Sequence, residues 1–194
     1  MVDELKGKFD FLLDLLHEDD WSFVIKSHAL IEAATTEMII HHLGEERLKG
    51  IVERLPLSDT QSGKIAVVKN LALLDNDQRK FVRWFSELRN KLVHRIENVN
   101  FTFKDHLKQL DKNQKTSWKT SITWFAKDNA DKEQWQTIAE KNPKVALFMA
   151  VSQLVVACVL ATQQVKGIRR IDHTAMETTK ALFQKLFLLE ENED

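Results

Sequence analysis

The residues best equipped for chemistry stand together at Arg89, Asn90 and His94, inside the stretch DNDQRKFVRWFSELRNKLVHRIENVN from Asp75 to Asn100. Histidine titrates at about pH 6.5 and can give or take a proton near neutrality. Arginine carries a fixed positive fork that makes paired, charge-assisted bonds to phosphate oxygens. Wound as a helix at about 100° per residue, the stretch separates two faces. Phe81, Trp84, Phe85, Leu88, Leu92 and Ile96 fall on an apolar face. Arg83, Glu87, Asn90 and His94 recur along one polar stripe opposite it. Arg89 lies roughly 140° from His94 on an ideal helix. The two reach one phosphate only if Arg89 curls round, or if a second subunit supplies half of the site. Asp75 is placed to cap this helix by accepting from the backbone at Gln78, and Asp77 adds favourable charge to its first turn. The plainer alternative is an amphipathic helix with a solvated charged face.

The segment SELRNKLVHRIENV resembles the signature of the HEPN superfamily of helical proteins, an Arg, then a polar residue, then a His five positions after the Arg; Arg89, Asn90 and His94 match it. The wider text resembles the mannitol-operon repressor-like branch, with Leu88-Arg89, Leu92, His94 and Phe101-Thr102 in the matching places. More loosely, FVIKSHALIEAATTEMI is similar to the long early helix of that branch. Resemblance to the catalytically active members implies a metal-independent endoribonuclease of the toxin or RNA-defence type. There the RNA's own 2′-hydroxyl is the nucleophile, His94 moves the proton, and Arg89 balances the phosphorane charge. Asn90 holds the imidazole or donates to a non-bridging oxygen. The resemblance further implies a homodimer in which two motifs face a shared cleft, RNA or a cognate antitoxin as partners, and no metal or other cofactor. Resemblance to the repressor-like branch implies instead a non-enzymatic regulatory protein acting through protein or nucleotide binding. That branch can hold Glu after the Arg, which would repel phosphate; Asn90 favours the RNA-directed reading.

Positioning such a motif calls for long helices, and five Gly and two Pro among 194 residues leave room for them. The expectation is all-α, an HEPN-like up-and-down bundle of six or seven helices in a single domain, 1–194. A net charge of −1 excludes a globally basic nucleic-acid binder while leaving local patches open. One cysteine, Cys158, gives no disulfide framework and points to a reducing cytoplasm. The start MVDELKGKF lacks the features of a signal peptide, and no apolar run reaches the roughly 18 residues of a membrane span, so no membrane is expected.

In chain order, Asp3–His17 reads as a first helix. Trp21–Leu43 reads as a second, stopped by Gly44, with Val24, His28, Ile31, Thr35, Met38 and His42 in a stripe. His28 and Glu32 are one turn apart. They are either ordinary packed helix residues or a pair lying across from Arg89 that orients it or a bound nucleotide, with Arg83 contributing. His41-His42 before Glu45-Glu46 is a weak metal signal, because adjacent helical histidines point about 100° apart. Glu45–Arg54 and Lys64–Leu74 read as short helices around the polar loop LSDTQSG. Residues 101–140 form a basic, aromatic excursion: Phe101–Lys127 holds six Lys against two Asp, interleaved with Phe101, Phe103, Trp118, Trp124 and Phe125. Such a stretch either grips single-stranded RNA, with Lys104, Lys108 and Lys119 on phosphates and the aromatics stacking on bases, or lays its tryptophans on the bundle. Val99–Phe103 (VNFTF) is the segment most able to pass for a strand, and Asp131–Glu140 for a short helix. Asn142-Pro143 starts a helix, Lys144–Val165, apolar almost all round, with Ala146–Ala161 expected as the most buried segment. Gly167 is expected to end it. A last amphipathic helix over Asp172–Leu189 would then turn Met176, Leu182, Phe183 and Leu186 inward.

Overall fold

The helices begin where short polar side chains can take up their unpaired backbone N–H groups. In a computed structural model of the chain, described for residue 11 and residues 13–190 with side chains to 182, the helix α1 spans Asp20–Leu43 and is capped by Asp19, which accepts from the Ser22 backbone N–H at 2.8 Å. A 3₁₀ turn, Glu46–Leu48, leads into α2, Lys49–Arg54, and then α3, Lys64–Asn70. The motif helix α4 spans Asn76–Val93. Its capping box is reciprocal: Asp75 Oδ1 accepts from the Gln78 N–H at 2.8 Å, and Gln78 Oε1 accepts from the Asp75 N–H at 2.8 Å. A 3₁₀ turn at Ile96–Asn100 follows, then α5, Phe103–Gln109, α6, Lys112–Ile122, α7, Asn129–Lys141, and α8, Pro143–Glu190. No strand occurs among the described residues, and VNFTF is split between the 3₁₀ turn and the start of α5. The fold is an all-α helical bundle. The helix expected over Asp3–His17 lies largely outside the described residues.

The core follows from the apolar stripes. α1 and α8 share the most extensive helix–helix interface, α4 packs on α1, and α7 packs on α8. The stripe Val24, His28, Ile31, Thr35 and Met38 is buried. So are Ala146, Leu147, Ala150, Val151, Leu154, Val155 and Cys158, within the segment expected to be the most deeply placed. Burial pushes the Cys158 thiol up to about 12, which keeps it protonated and unreactive at neutral pH. The same helix corrects one expectation. It contains an 18-residue window of mean hydropathy 2.3, long and apolar enough to cross a membrane by length and composition, of which 44% is buried in the bundle.

Two helix boundaries also differ from expectation. α8 runs straight through Gly167 instead of breaking there. A single helical glycine costs only about 1 kcal/mol relative to alanine, too little to stop a helix flanked by good formers. From 166 to 182 every residue is exposed, so Met176 and Leu182 face solvent at 61% and 58% rather than inward. The second is α4, which ends at Val93 and leaves Ile96 outside the core at 84% exposure. The cause is local: Asn98 Nδ2 donates to the Lys91 carbonyl at 2.7 Å, closing a helix end that periodicity alone would have carried on.

α1 stops at Gly44, whose φ of 71° is left-handed. Arg169 of α8 reaches this corner and donates from Nη2 to the His42 carbonyl at 3.0 Å. A Cβ on Gly44 would sit 2.0 Å from that same nitrogen. Gly44→Ala should therefore cost about 1–2 kcal/mol from the left-handed backbone, plus the loss of the Arg169 cap. In chemical denaturation the penalty should shrink when Arg169 is already Ala; an equal penalty in both backgrounds would show that the two do not share the corner.

Candidate functional site

α4 presents different chemistry to each side. Against α1 it places Ser86 and Arg89. His28 of α1 is 8% exposed, and its Nε2 lies 3.1 Å from Ser86 Oγ. Ser86 Oγ donates its single proton to the Val82 carbonyl at 2.8 Å, so towards His28 it accepts. This places the imidazole proton on Nε2. Burial pushes His28 below its ordinary 6.5, the nearby Arg89 guanidinium adds to this, and Glu32 partly opposes both. Arg89 itself is half-buried and donates from Nη1 to Asn90 Oδ1 at 3.1 Å. Arg89 thus stands within electrostatic reach of His28. Glu32 accepts from Lys64 Nζ at 2.8 Å, across to α3.

Away from α1, Arg83, Glu87 and Asn90 are exposed along the helix, and His94 follows as its exposed C-cap. The end that carries His94 is pinned twice, by the Asn98 bond and by Trp21 Nε1, which donates to the Leu92 carbonyl at 3.5 Å. No hydrogen bond or ion pair engages the His94 imidazole among the described residues. Within one chain, then, Arg89 sits beside α1 while His94 caps the C-terminal end of α4.

The predicted RNA-contacting lysines lie on the other flank. Lys104 and Lys108 of α5 and Lys119 of α6 line one groove of about 590 Å³, together with Lys115 and Lys141. The aromatic residues between them are spent on packing. Trp118 is 3% exposed, its ring 5.1 Å from Trp84 in a T-shaped pair, and Trp124 lies 5.9 Å from Phe81. Of the two expectations for this stretch, the tryptophans follow the packing one while the lysines remain outside. His106 is wedged 5.4 Å from the Trp118 ring and is pushed below 6.5 by burial and then by Lys91. His41 lies 3.9 Å from Glu37, and no three His, Cys, Asp or Glu side chains gather into a metal-binding group among the described residues.

Sequence reasoning missed Ser86, Lys64, Lys115 and Lys141. Ser86 stands three residues before Arg89 and could have been read as its neighbour on the helix. Lys64 gave no signal, since its partner is 32 residues away.

The buried His28 also makes a prediction about stability. Its folded pKa is depressed, so on lowering the pH the unfolded chain takes up a proton at about 6.5 while the folded one resists. Its contribution is fully present above 6.5 and is lost as pH falls from there towards the folded value. His41 and His106 are depressed as well and act in the same direction. His28→Gln keeps a donor for Ser86 and has no proton to gain, so the fall in Tm between about pH 7.5 and 5.5 should become shallower. A slope unchanged by the substitution would place the titrating groups elsewhere.

No protein-family model matches the chain, and neither a curated protein nor a solved structure does.

Proposed function

We propose that this protein is an HEPN-like, metal-independent endoribonuclease whose cleavage site forms when two copies bring their α4 helices together. The observation that carries the reading is His94: an exposed imidazole with no partner among the described residues, held at a doubly pinned helix end on the same stripe as Asn90 and Arg83. Arg89 stands on a different flank of the same helix, beside His28. Pairing two chains about a two-fold axis would let the Arg89 of one serve the His94 of the other.

In this reading the 2′-hydroxyl of a flexible RNA strand loses its proton and attacks the adjacent phosphorus, the P–O5′ bond breaks, and the products are a 2′,3′-cyclic phosphate and a protonated 5′-hydroxyl. His94 accepts or donates the proton, a contribution worth about 10²–10⁴-fold. The Arg89 fork meets the charge that builds on the phosphorane oxygens. Asn90, now bonded to Arg89, fixes the orientation of the guanidinium. The projecting half of α8 supports a two-copy arrangement, because Ile168 and Ile171 are 51% and 70% exposed there and a second chain could cover them. The same surface supports the regulatory alternative, in which a different protein covers it and no RNA is cut.

The test is cleavage of single-stranded RNA by purified protein in EDTA. Products ending in 2′,3′-cyclic phosphate, and an inert substrate when the cleaved position carries 2′-deoxyribose, are the expected result. A range of RNAs left intact by the wild type would remove the catalytic reading and leave the regulatory one.

A further inference from the structure

The groove between α5, α6 and α7 has a composition that the catalytic reading does not require. Its rim carries Lys104, Lys108, Lys115, Lys119 and Lys141 against a single carboxylate, Glu140. These lysines come from three helices, so the concentration of charge is a product of the fold and not of one basic run. Lys119 is tied to Glu140 at 2.5 Å, which links α6 to α7 across the groove, and Lys108 is paired with Asp105 at 2.8 Å. Lys104, Lys115 and Lys141 are exposed and have no ion-pair partner among the described residues. Like charges held round one concavity repel one another and are stabilised by an anion that enters it.

The interior of the groove points the same way. Leu107, Ala139 and Pro143, with Trp118, give it an apolar lining against which nucleobases can rest. Trp118 also lines the adjoining depression, where it is joined by Glu87 and Lys91 of α4 and by His106. The two depressions thus share Trp118 as a wall, and the second reaches the polar side of the motif helix at Glu87 and Lys91.

We propose that this groove is the binding track for the phosphate backbone of single-stranded RNA, leading the strand towards the exposed end of α4. The choice of RNA as the phosphate polymer rests on the catalytic reading above; the groove as a phosphate-strand site does not. A flexible single strand fits better than a duplex, because the cationic rim is a concavity between helices that a rigid, wide helix could not enter.

The experiment uses the full chain and a 2′-O-methyl single-stranded oligonucleotide, which cannot be cleaved, with affinity read by fluorescence anisotropy across a salt series. Three to five phosphate contacts predict a slope of log affinity against log salt of about −2 to −3.5. Lys115→Gln combined with Lys141→Gln should flatten that slope by about 1.4 and weaken binding about 25-fold at 0.1 M salt. Glu140→Gln should strengthen it about fivefold by freeing Lys119, a gain that damage to the fold would not produce. A charge-matched control, Lys69→Gln with Arg170→Gln, lies outside the groove and should leave binding unchanged. Equal loss in the control, or no loss in the groove variant, overturns the proposal. So does a duplex of the same sequence binding as tightly, or adenosine triphosphate alone binding as tightly as the strand. Groove-dependent binding without cleavage of ordinary RNA would sink the catalytic reading and keep the track; cleavage that ignores the groove variants would do the reverse.

Discussion

Replacing Arg89 by Ala should slow RNA cleavage by on the order of a hundredfold or more, the usual consequence of removing a charge aimed at a developing oxyanion. His94→Ala should lose the proton-transfer contribution, about 10²–10⁴-fold. Neither change should unfold the protein: His94 is exposed and Arg89 half-buried, and neither belongs to the buried stripe of α4. Both inactive variants together give the sharper result. If each site takes Arg89 from one chain and His94 from the other, a mixed dimer of the two variants contains one site with both residues intact. Equal amounts of the two, mixed and allowed to exchange, should recover about a quarter of wild-type activity, since half the dimers are mixed and each has one working site of two. A mixture as inactive as its components would eliminate the shared site. Activity that survives His94→Ala at the wild-type level would mark a contaminating nuclease.

The parts of this fold legible in the sequence are those decided within a few residues. Asp19, Asp75 and the Asn142-Pro143 pair each mark a helix start, because a cap involves only the next turn. The inward stripe of α1 could be read from periodicity, His28 included. What could not be read was decided by distant or competing interactions. Gly167 looks like a stop, but its helix continues because the glycine penalty is small beside the sum of its neighbours' preferences. Ile96 belongs to the α4 stripe by angle and is outside the core because Asn98 closes the helix first. At the candidate site, Arg89, Asn90 and His94 could be chosen by residue type and spacing. The His28–Ser86 bond spans 58 residues and the Glu32–Lys64 pair 32, and nothing local announces either. The lysine groove is the intermediate case: the basic stretch was visible, but Lys141 joins it only because α7 packs beside α6.

Glu32→Ala should be among the most destabilising substitutions in the chain, although Glu32 is a surface-accessible acid in the sequence's own terms. Its partner Lys64 has a side chain only 1% exposed, while the Glu32 side chain is 39% exposed. Lys64 Nζ has one carboxylate at 2.8 Å and, at 3.4 Å, the Glu53 backbone carbonyl. Removing the carboxylate leaves a buried ammonium facing a lone carbonyl, and breaking such a pair costs about 3–5 kcal/mol. The exposed Glu32 end lets water approach through the cleft between α1 and α3, so the lower end of that range, about 3 kcal/mol, is expected. Against a total stability of about 5–15 kcal/mol this is large. Lys64→Met removes the buried charge and fills most of its space, while the Glu32 it leaves behind can reach water; its cost should be small. In that background Glu32→Ala should cost less than about 1 kcal/mol, because the charge it would have stranded is gone. Glu32→Ala costing the same in both backgrounds would mean that Lys64 is not what Glu32 holds. The cycle also separates stability from function, for the sequence pointed to Glu32 as a residue that orients Arg89 or a nucleotide. If Glu32 acts only through Lys64, the Lys64→Met, Glu32→Ala double variant should bind and cleave RNA like the Lys64→Met protein at temperatures where both are folded. If cleavage falls with Glu32 in that background, the carboxylate acts on Arg89 or the substrate directly.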